Sequence, residues 1–217
     1  MASDAEGLAG RLRHVRWIGG GSGAGKTTIA RRLAGERGLR LYSCDETLSA
    51  HASRLTAAEA PLLHAFLNMI MDERWVTRPP EVMLRTFPWF AGEGFGLIVA
   101  DLLALPPEPL ILVEGFRLLP RLVAPLLSGP ERAVWLAPTA TFRAAAFERR
   151  GFTWAIPSKT SQPERALSNL LARDQLFTEE MVADASALGL RVIEVDGTQG
   201  IAELCARVAQ SLGLSAT

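Results

Sequence analysis

Gly20-Gly21-Ser22-Gly23-Ala24-Gly25-Lys26-Thr27 fits G-x-x-x-x-G-K-[ST] without a mismatch. Those residue types at that spacing make a phosphate cradle, the P-loop or Walker A pattern. Glycines let the backbone curl until its N–H groups converge on phosphate oxygens. The helix that follows adds its own N-terminal N–H groups and the positive end of its dipole. Lys26 supplies an ammonium for the β- and γ-phosphates, and the Thr27 hydroxyl can ligate Mg²⁺, with Thr28 next in line.

The cradle needs a strand before it and a helix after it. His14-Val15-Arg16-Trp17-Ile18 reads as the strand. Thr27 to Ala34 reads as the helix, with Ile29, Ala30, Leu33 and Ala34 along one side. A glycine-rich linker lacks such flanks. Gly19-x-Gly21-x-x-Ala24 also fits the looser dinucleotide fingerprint, and Asp45 follows at roughly the 20-residue spacing of its ribose acid. The Gly-Lys-Thr run decides against that reading, because a dinucleotide loop has no need of it.

The chain has 217 residues, 48% of them apolar, and a formal net charge of zero. Residues 13–217 are expected to form one domain with a sizeable core, behind a flexible tail or short helix over 1–12. Zero net charge gives no electrostatic footprint for nucleic acid or an anionic membrane. Lys26 and Lys159 are the only lysines, and the other basic residues are arginines. Cys44 and Cys205 form neither a C-x-x-C pair nor a disulfide framework, so each is expected as a buried small hydrophobe. No signal-peptide core and no run of about 18 apolar residues is present. A soluble, cytoplasmic protein is the expectation.

Strand and helix signals alternate. Leu39-Arg40-Leu41-Tyr42-Ser43 is a second strand, ending at Cys44-Asp45-Glu46, where a helix is expected to open. Residues 56–76 carry a helical stripe of Leu62, Leu63, Phe66, Leu67, Ile70 and Met71 behind a Thr56/Glu59 capping box. Further helices are expected over about 81–87 and 92–104. Leu110-Ile111-Leu112-Val113 reads as a strand buried on both faces and ends in Glu114-Gly115. Ala133 to Ala137 repeats that pattern, and Thr139 caps the helix that follows. Gly151 to Pro163 is polar and rich in turn residues, and reads as a mobile loop. A helix over about 164–188, a strand at 189–195, the turn Asp196-Gly197-Thr198 and a helix over 199–212 complete the chain. The fold class is α/β: three layers around a five-stranded parallel sheet with right-handed crossovers.

Carboxylates and arginines carry the expected chemistry. Glu114 ends the most apolar strand, where a P-loop enzyme keeps an acid for Mg²⁺ or its waters. Asp45 ends the neighbouring strand, where a base or orienting acceptor for a hydroxyl belongs; a helix N-cap is the structural alternative. Arg149, Arg150 and Arg173 flank the polar loop, where arginines could stabilise a moving phosphoryl group. Arg143 and Lys159 are weaker candidates. Arg54, Arg74, Arg78, Arg85 and Arg117 are open to the acceptor or to the surface.

The order of P-loop, helix, strand with terminal Asp, helical insertion, strand ending Glu-Gly, strand, arginine-bearing lid, strand and final helix resembles the P-loop kinases of the nucleoside-monophosphate-kinase fold. Shikimate, gluconate and uridine kinases and chloramphenicol phosphotransferase are relatives by pattern. The resemblance runs from about residue 14 to the end, and its specific part is the P-loop. It implies that Asp45 contacts the acceptor hydroxyl, that residues 46–104 bind the acceptor and that residues 150–163 form a lid. It also implies that Asp196 and Gly197 border adenine.

The expected activity is therefore transfer of the γ-phosphate of Mg·ATP to a hydroxyl of a metabolite, antibiotic or nucleoside. The cofactors would be ATP and Mg²⁺, and the protein a monomer or homodimer. A nucleotide kinase and a P-loop ATPase acting with a protein partner remain alternatives. A GTPase switch would need Asn-Lys-x-Asp, which is absent. Residues 46–104, rich in Trp, Phe and Met, match no specific member, so the acceptor stays open. Phe66, Trp75, Phe87, Trp89, Phe90 and Phe95 could supply stacking or an apolar pocket, with core packing the expectation for most of them.

Overall fold

A computed structural model describes residues 2–150 and 156–214, the side chains of 2–6 and 150 excepted. Helix α1 (Ala2–Arg11) precedes β1 (Val15–Gly20), α2 (Lys26–Arg37) and β2 (Arg40–Ser43). Six helices follow: α3 (Leu48–Arg54), α4 (Pro61–Asn68), α5 (Met71–Trp75), α6 (Pro80–Thr86), α7 (Pro88–Ala91) and α8 (Phe95–Ala104). Then come β3 (Ile111–Glu114), α9 (Pro120–Val123), β4 (Ala133–Pro138), α10 (Ala140–Arg150), α11 (Pro163–Ala187), β5 (Arg191–Val195) and α12 (Ile201–Ser211).

The five strands pair in the order β2-β3-β1-β4-β5, all parallel. The apolar runs of β3 and β4 are buried on both faces, as a parallel sheet between helices requires, while the edge strands β2 and β5 are only partly covered. Successive side chains point to opposite sides. Ile18, Leu112, Val134 and Leu136 face Ile29 and Leu33 of α2 and Leu204 and Val208 of α12. Val15, Trp17, Ile111, Val113 and Trp135 face the other way, onto Ile98 and Leu102 of α8 and Met181 of α11. The architecture is helix, sheet, helix. The first residues take the helical option, and Leu8 and Leu12 join the second of these cores.

The acceptor region departs from the sequence expectation. The single helix over 56–76 is two, α4 and α5. The Thr56/Glu59 box does close, with Thr56 N–H donating to Glu59 at 2.9 Å. It caps only a turn, because Pro61 lacks an N–H and is tolerated only at a helix start. Glu93 then caps α4 by accepting from Leu62 N at 2.9 Å and Leu63 N at 2.8 Å. At the second break, Arg74 donates to Leu67 O at 2.8 Å and Glu73 accepts from Ile70 N at 2.9 Å. Side chains thus satisfy backbone groups that a continuous helix would have paired.

Two smaller differences matter for the site. Asp45 does not open a helix; it sits in a turn, and α3 starts three residues later behind Thr47. Of the polar loop, residues 151–155 lie outside the described residues. The remainder is docked: Ser161 N donates to Asp72 at 2.8 Å, Ser161 Oγ bonds the same carboxylate, and Ile156 packs against the Trp75 cluster. Among the described residues no helix is long and apolar enough to cross a membrane.

Candidate functional site

Open parallel sheets bind ligands beyond the carboxyl ends of their strands, where the strand order reverses. Here that place lies between β1 and β3, and the glycine-rich loop leaves β1 there. Gly20 has φ 135°, and a Cβ on it would stand 2.3 Å from Leu136 O, so no side chain fits. Gly25 occupies the N-cap of α2 at φ 80°, a left-handed conformation. The twelve-residue helix has no side-chain cap and no acid in its first turn. Its first N–H groups and its positive dipole end are therefore left facing the loop. Lys26 is nearly buried, and its Nζ donates to Gly21 O at 2.8 Å.

Register explains the next contact. Ser43 of β2 and Glu114 of β3 are direct partners across the ladder, so their side chains point the same way. Ser43 Oγ donates to Glu114 Oε1 at 2.7 Å, and Thr27 Oγ1 lies 3.2 Å from both carboxylate oxygens. Glu114 is fully buried. Burial pushes its carboxyl above the ordinary range; Ser43 and Lys26 oppose that, and the charge of Asp45 adds to it. Asp45 is exposed, on the turn after β2.

The loop, Thr27 and Asp45 border one cavity of about 370 Å³, with Glu114 buried behind Thr27. Ser22, Gly23, Gly25, Lys26, Thr27 and Thr28 form one wall, with Asp45 beside them. The opposite wall is aromatic: Phe66, Trp75, Phe87, Trp89, Phe90 and Phe116. Leu48, Ile156 and Arg173 complete it. A larger groove of about 660 Å³ runs past His14 and Leu110. It lies at the amino ends of the strands, away from every residue just named.

Arg173, on α11, is 4% exposed. Its guanidinium carbon sits 4.6 Å from the Phe87 ring centroid and 5.1 Å from those of Trp75 and Phe90. Its Nε and Nη2 both donate to Asp174 Oδ1, at 2.9 and 2.6 Å. Arg173 Nη1 and Asp174 Oδ2 have no hydrogen-bond partner.

The structure brings together Lys26, Thr27, Asp45, Glu114 and Arg173, and it keeps the other expected residues apart. Arg149 is exposed, donates to Ala145 O at 3.3 Å and stands over the Phe142 ring. The side chain of Arg150 lies outside the described residues. Asp196 accepts from Thr198 N at 2.9 Å, and Gly197 lies against Phe142, beside β5 rather than at the cavity. Arg143 is buried behind the loop, donating to Gln175 at 2.8 Å and to the Thr178 hydroxyl. It is a strut between α10 and α11.

Two features go beyond the sequence reading. One is the convergence on Arg173 of an aromatic wall to which five of the six aromatic residues between 66 and 95 contribute, residues open in the sequence to a pocket or to the core. The other is a chain of hydrogen bonds through the buried Arg117 and His51 to the half-buried Asp101 and Tyr42. Arg117 Nη1 lies 3.1 Å from His51 Nδ1, His51 Nε2 lies 2.8 Å from Asp101, and Tyr42 donates to the same carboxylate at 2.7 Å. With the guanidinium donating, His51 Nδ1 accepts and Nε2 carries the proton. Arg117 also stacks on Trp89, 4.4 Å from its centroid, and so holds a wall residue in place.

No family model matches the chain, and no curated protein matches it. Among solved structures it is similar to the crystal structure of an uncharacterized protein from Eubacterium ventriosum ATCC 27560, at 13% identity over 92% of this chain and 97% of the other, with a TM-score of 0.48. A likeness at that level carries no argument about chemistry.

Proposed function

We propose that the protein is a P-loop phosphotransferase of the nucleoside-monophosphate-kinase-like type, moving the γ-phosphate of Mg·ATP to a hydroxyl of a small molecule. One observation carries the reading: the loop with the G-x-x-x-x-G-K-[ST] pattern, a strand-ending Asp45 and the buried Arg173 border the same cavity. A phosphate-binding wall faces an enclosed apolar one, with a carboxylate at the junction. Hydrolysis needs no such second wall.

In this reading the loop and the first turn of α2 hold the phosphate chain by backbone N–H groups. Lys26 gives up its bond to Gly21 O and neutralises the β- and γ-oxygens. Thr27 and Glu114 fit a hard, oxygen-liganded cation: a hydroxyl and a buried carboxylate at the phosphate wall. Such a cation would take its remaining ligands from phosphate oxygens and water. When bound, Mg²⁺ supplies charge neutralisation at the transferring group.

Asp45 accepts the acceptor's hydroxyl proton as its oxygen attacks the γ-phosphorus. The bond from that phosphorus to the bridging oxygen breaks, and ADP leaves. Arg173 adds positive charge at the cavity wall. The base of ATP would lie toward Phe142, Gly197 and Asp196, beside β5. Residues 46–104 carry the acceptor, and Ile156 contributes the lid segment's contact with it. Asp45→Ala tests the assignment: acceptor phosphorylation should fall by about 10²–10⁴-fold with Mg·ATP affinity retained. Near-wild-type phosphorylation by that variant would remove Asp45 from the chemistry.

A further inference from the structure

The acceptor cavity has a composition that selects among small molecules. Beyond the phosphate wall, its bordering side chains are Asp45, Arg173 and otherwise apolar or aromatic groups. We infer, resting on the phosphotransfer reading above, that the acceptor is a compact, predominantly apolar alcohol with an aromatic or flat hydrocarbon skeleton, whose hydroxyl is the group phosphorylated.

Three familiar acceptor classes fit poorly. A sugar, polyol or nucleoside brings several hydroxyl or ring-nitrogen groups. Each must be hydrogen-bonded when buried or it weakens binding. Among the described residues this wall offers one carboxylate and one guanidinium.

A nucleotide brings a second phosphate, which calls for further cations. Lys26 and Arg173 are the only ones bordering the cavity among the described residues. Arg85 does not border the cavity, and the other arginines in and beside the acceptor region are engaged elsewhere. Arg74 holds Leu67 O, Arg78 holds Glu73 O and Thr86, and Arg117 holds His51 and Gly94 O. Arg54 lies against Asp101.

A quaternary-ammonium alcohol calls for an aromatic cage. A cage is present, formed by Trp75, Phe87 and Phe90, but it is filled by the protein's own Arg173. The cage therefore builds the wall and is not open to a ligand cation. The cavity, about 370 Å³, is near the lower end of the roughly 300–1,000 Å³ range of ligand sites, which limits the acceptor to a small skeleton.

The reaction is the one already written: the alcohol oxygen bonds to the γ-phosphorus, the proton passes to Asp45, and ADP leaves with the bridging oxygen. The test pairs binding with transfer, using the full chain. Calorimetry on the Mg·ADP-loaded protein would compare 2-phenylethanol and 3-phenylpropanol with glucose, glycerol, thymidine, thymidine monophosphate and choline. The same panel would then be offered with Mg·ATP and products read by mass.

The aromatic alcohols should bind and take phosphate with kcat/KM at least about tenfold above every other member. Phe66→Ser and Phe116→Ser should each weaken their binding about tenfold or more, and unchanged Mg·ADP affinity would show that both variants fold. Equal or better use of glucose, thymidine, its monophosphate or choline overturns the inference. So does failure of the aromatic alcohols to bind, or their displacement by adenosine. Aromatic alcohols that bind in the Phe66-dependent manner with no transfer to any acceptor would support the ligand class and overturn the phosphotransfer reading instead.

Discussion

Thr27 Oγ1 lies 3.2 Å from both carboxylate oxygens of Glu114, fastening the first turn of α2 to the end of β3. The pair couples the loop's helix to the central sheet through a buried acid whose charge is opposed by its surroundings. Ser43 gives the same acid a second hydroxyl donor.

Glu114→Gln should therefore stabilise the unliganded protein while damaging transfer. Burial raises the Glu114 pKa above its ordinary 4.5. Below that value the carboxyl is protonated in both states and contributes no penalty. As pH rises through it, the unfolded chain ionises first, and stability is lost until the folded carboxyl ionises too. Glutamine keeps an oxygen for Ser43, and the Thr27 hydroxyl can turn to accept from its amide. At pH 7 the variant should gain about 1 kcal/mol, or roughly 2–4 °C in Tm, and the difference should vanish at low pH. Thermal melts at several pH values check this, and a destabilised variant at pH 7 contradicts it.

Arg173 and Asp174 form a buried pair, 4% and 0% exposed. Removing one partner strands the other's charge, at a typical cost of about 3–5 kcal/mol. Arg173→Ala should show that loss in urea unfolding. Arg173→Met with Asp174→Asn should recover most of it, because neither charge remains and the methionine keeps contact with Trp75, Phe87 and Phe90. Additive losses in the double variant would show that the pairing is not what holds the two residues.

Asp72 ties the segment before α11 to α5 through Ser161. Asp72→Ala should free that segment and speed tryptic cleavage after Lys159, with global unfolding unchanged. Cleavage at the wild-type rate would assign the docking to Ile156 alone.

Much of the fold was legible in the sequence, because fully buried parallel strands are short continuous apolar runs. Leu110 to Val113 and Ala133 to Ala137 announce the sheet's centre without tertiary knowledge. Glu114 and Asp45 were legible as strand-ending acids. The 56–76 segment was misread because the apolar stripe continues across both breaks. Pro61 was the local signal that a capping box could not propagate, whereas the break at Met69 and Ile70 depends on Arg74 and Glu73 reaching back.

The aromatic wall was ambiguous for a different reason. Phe66, Trp75, Phe87 and Phe90 satisfy core periodicity equally well, and the convergence of Trp75, Phe87 and Phe90 on Arg173, about a hundred residues away in sequence, is what separates a cavity wall from a core. Separations of 66 and 50 residues likewise hid the chain from Arg117 through His51 to Asp101.

Lys26 is the residue on which the phosphate reading rests. Lys26→Met should lower turnover by about 10²–10³-fold, the usual effect of removing a charge-stabilising donor. Asp45→Asn, at an exposed turn, should leave stability within about 0.5 kcal/mol of wild type while losing transfer. Together they separate the phosphate wall from the acceptor side.

The most direct measurement follows the label from γ-³²P-ATP in the presence of Mg²⁺ and an acceptor panel, resolving labelled alcohol from released phosphate. Label should appear on an acceptor oxygen, and that product should be lost in both Lys26→Met and Asp45→Asn. Label found only as inorganic phosphate, at a rate indifferent to every acceptor, would contradict phosphoryl transfer as the function of this site.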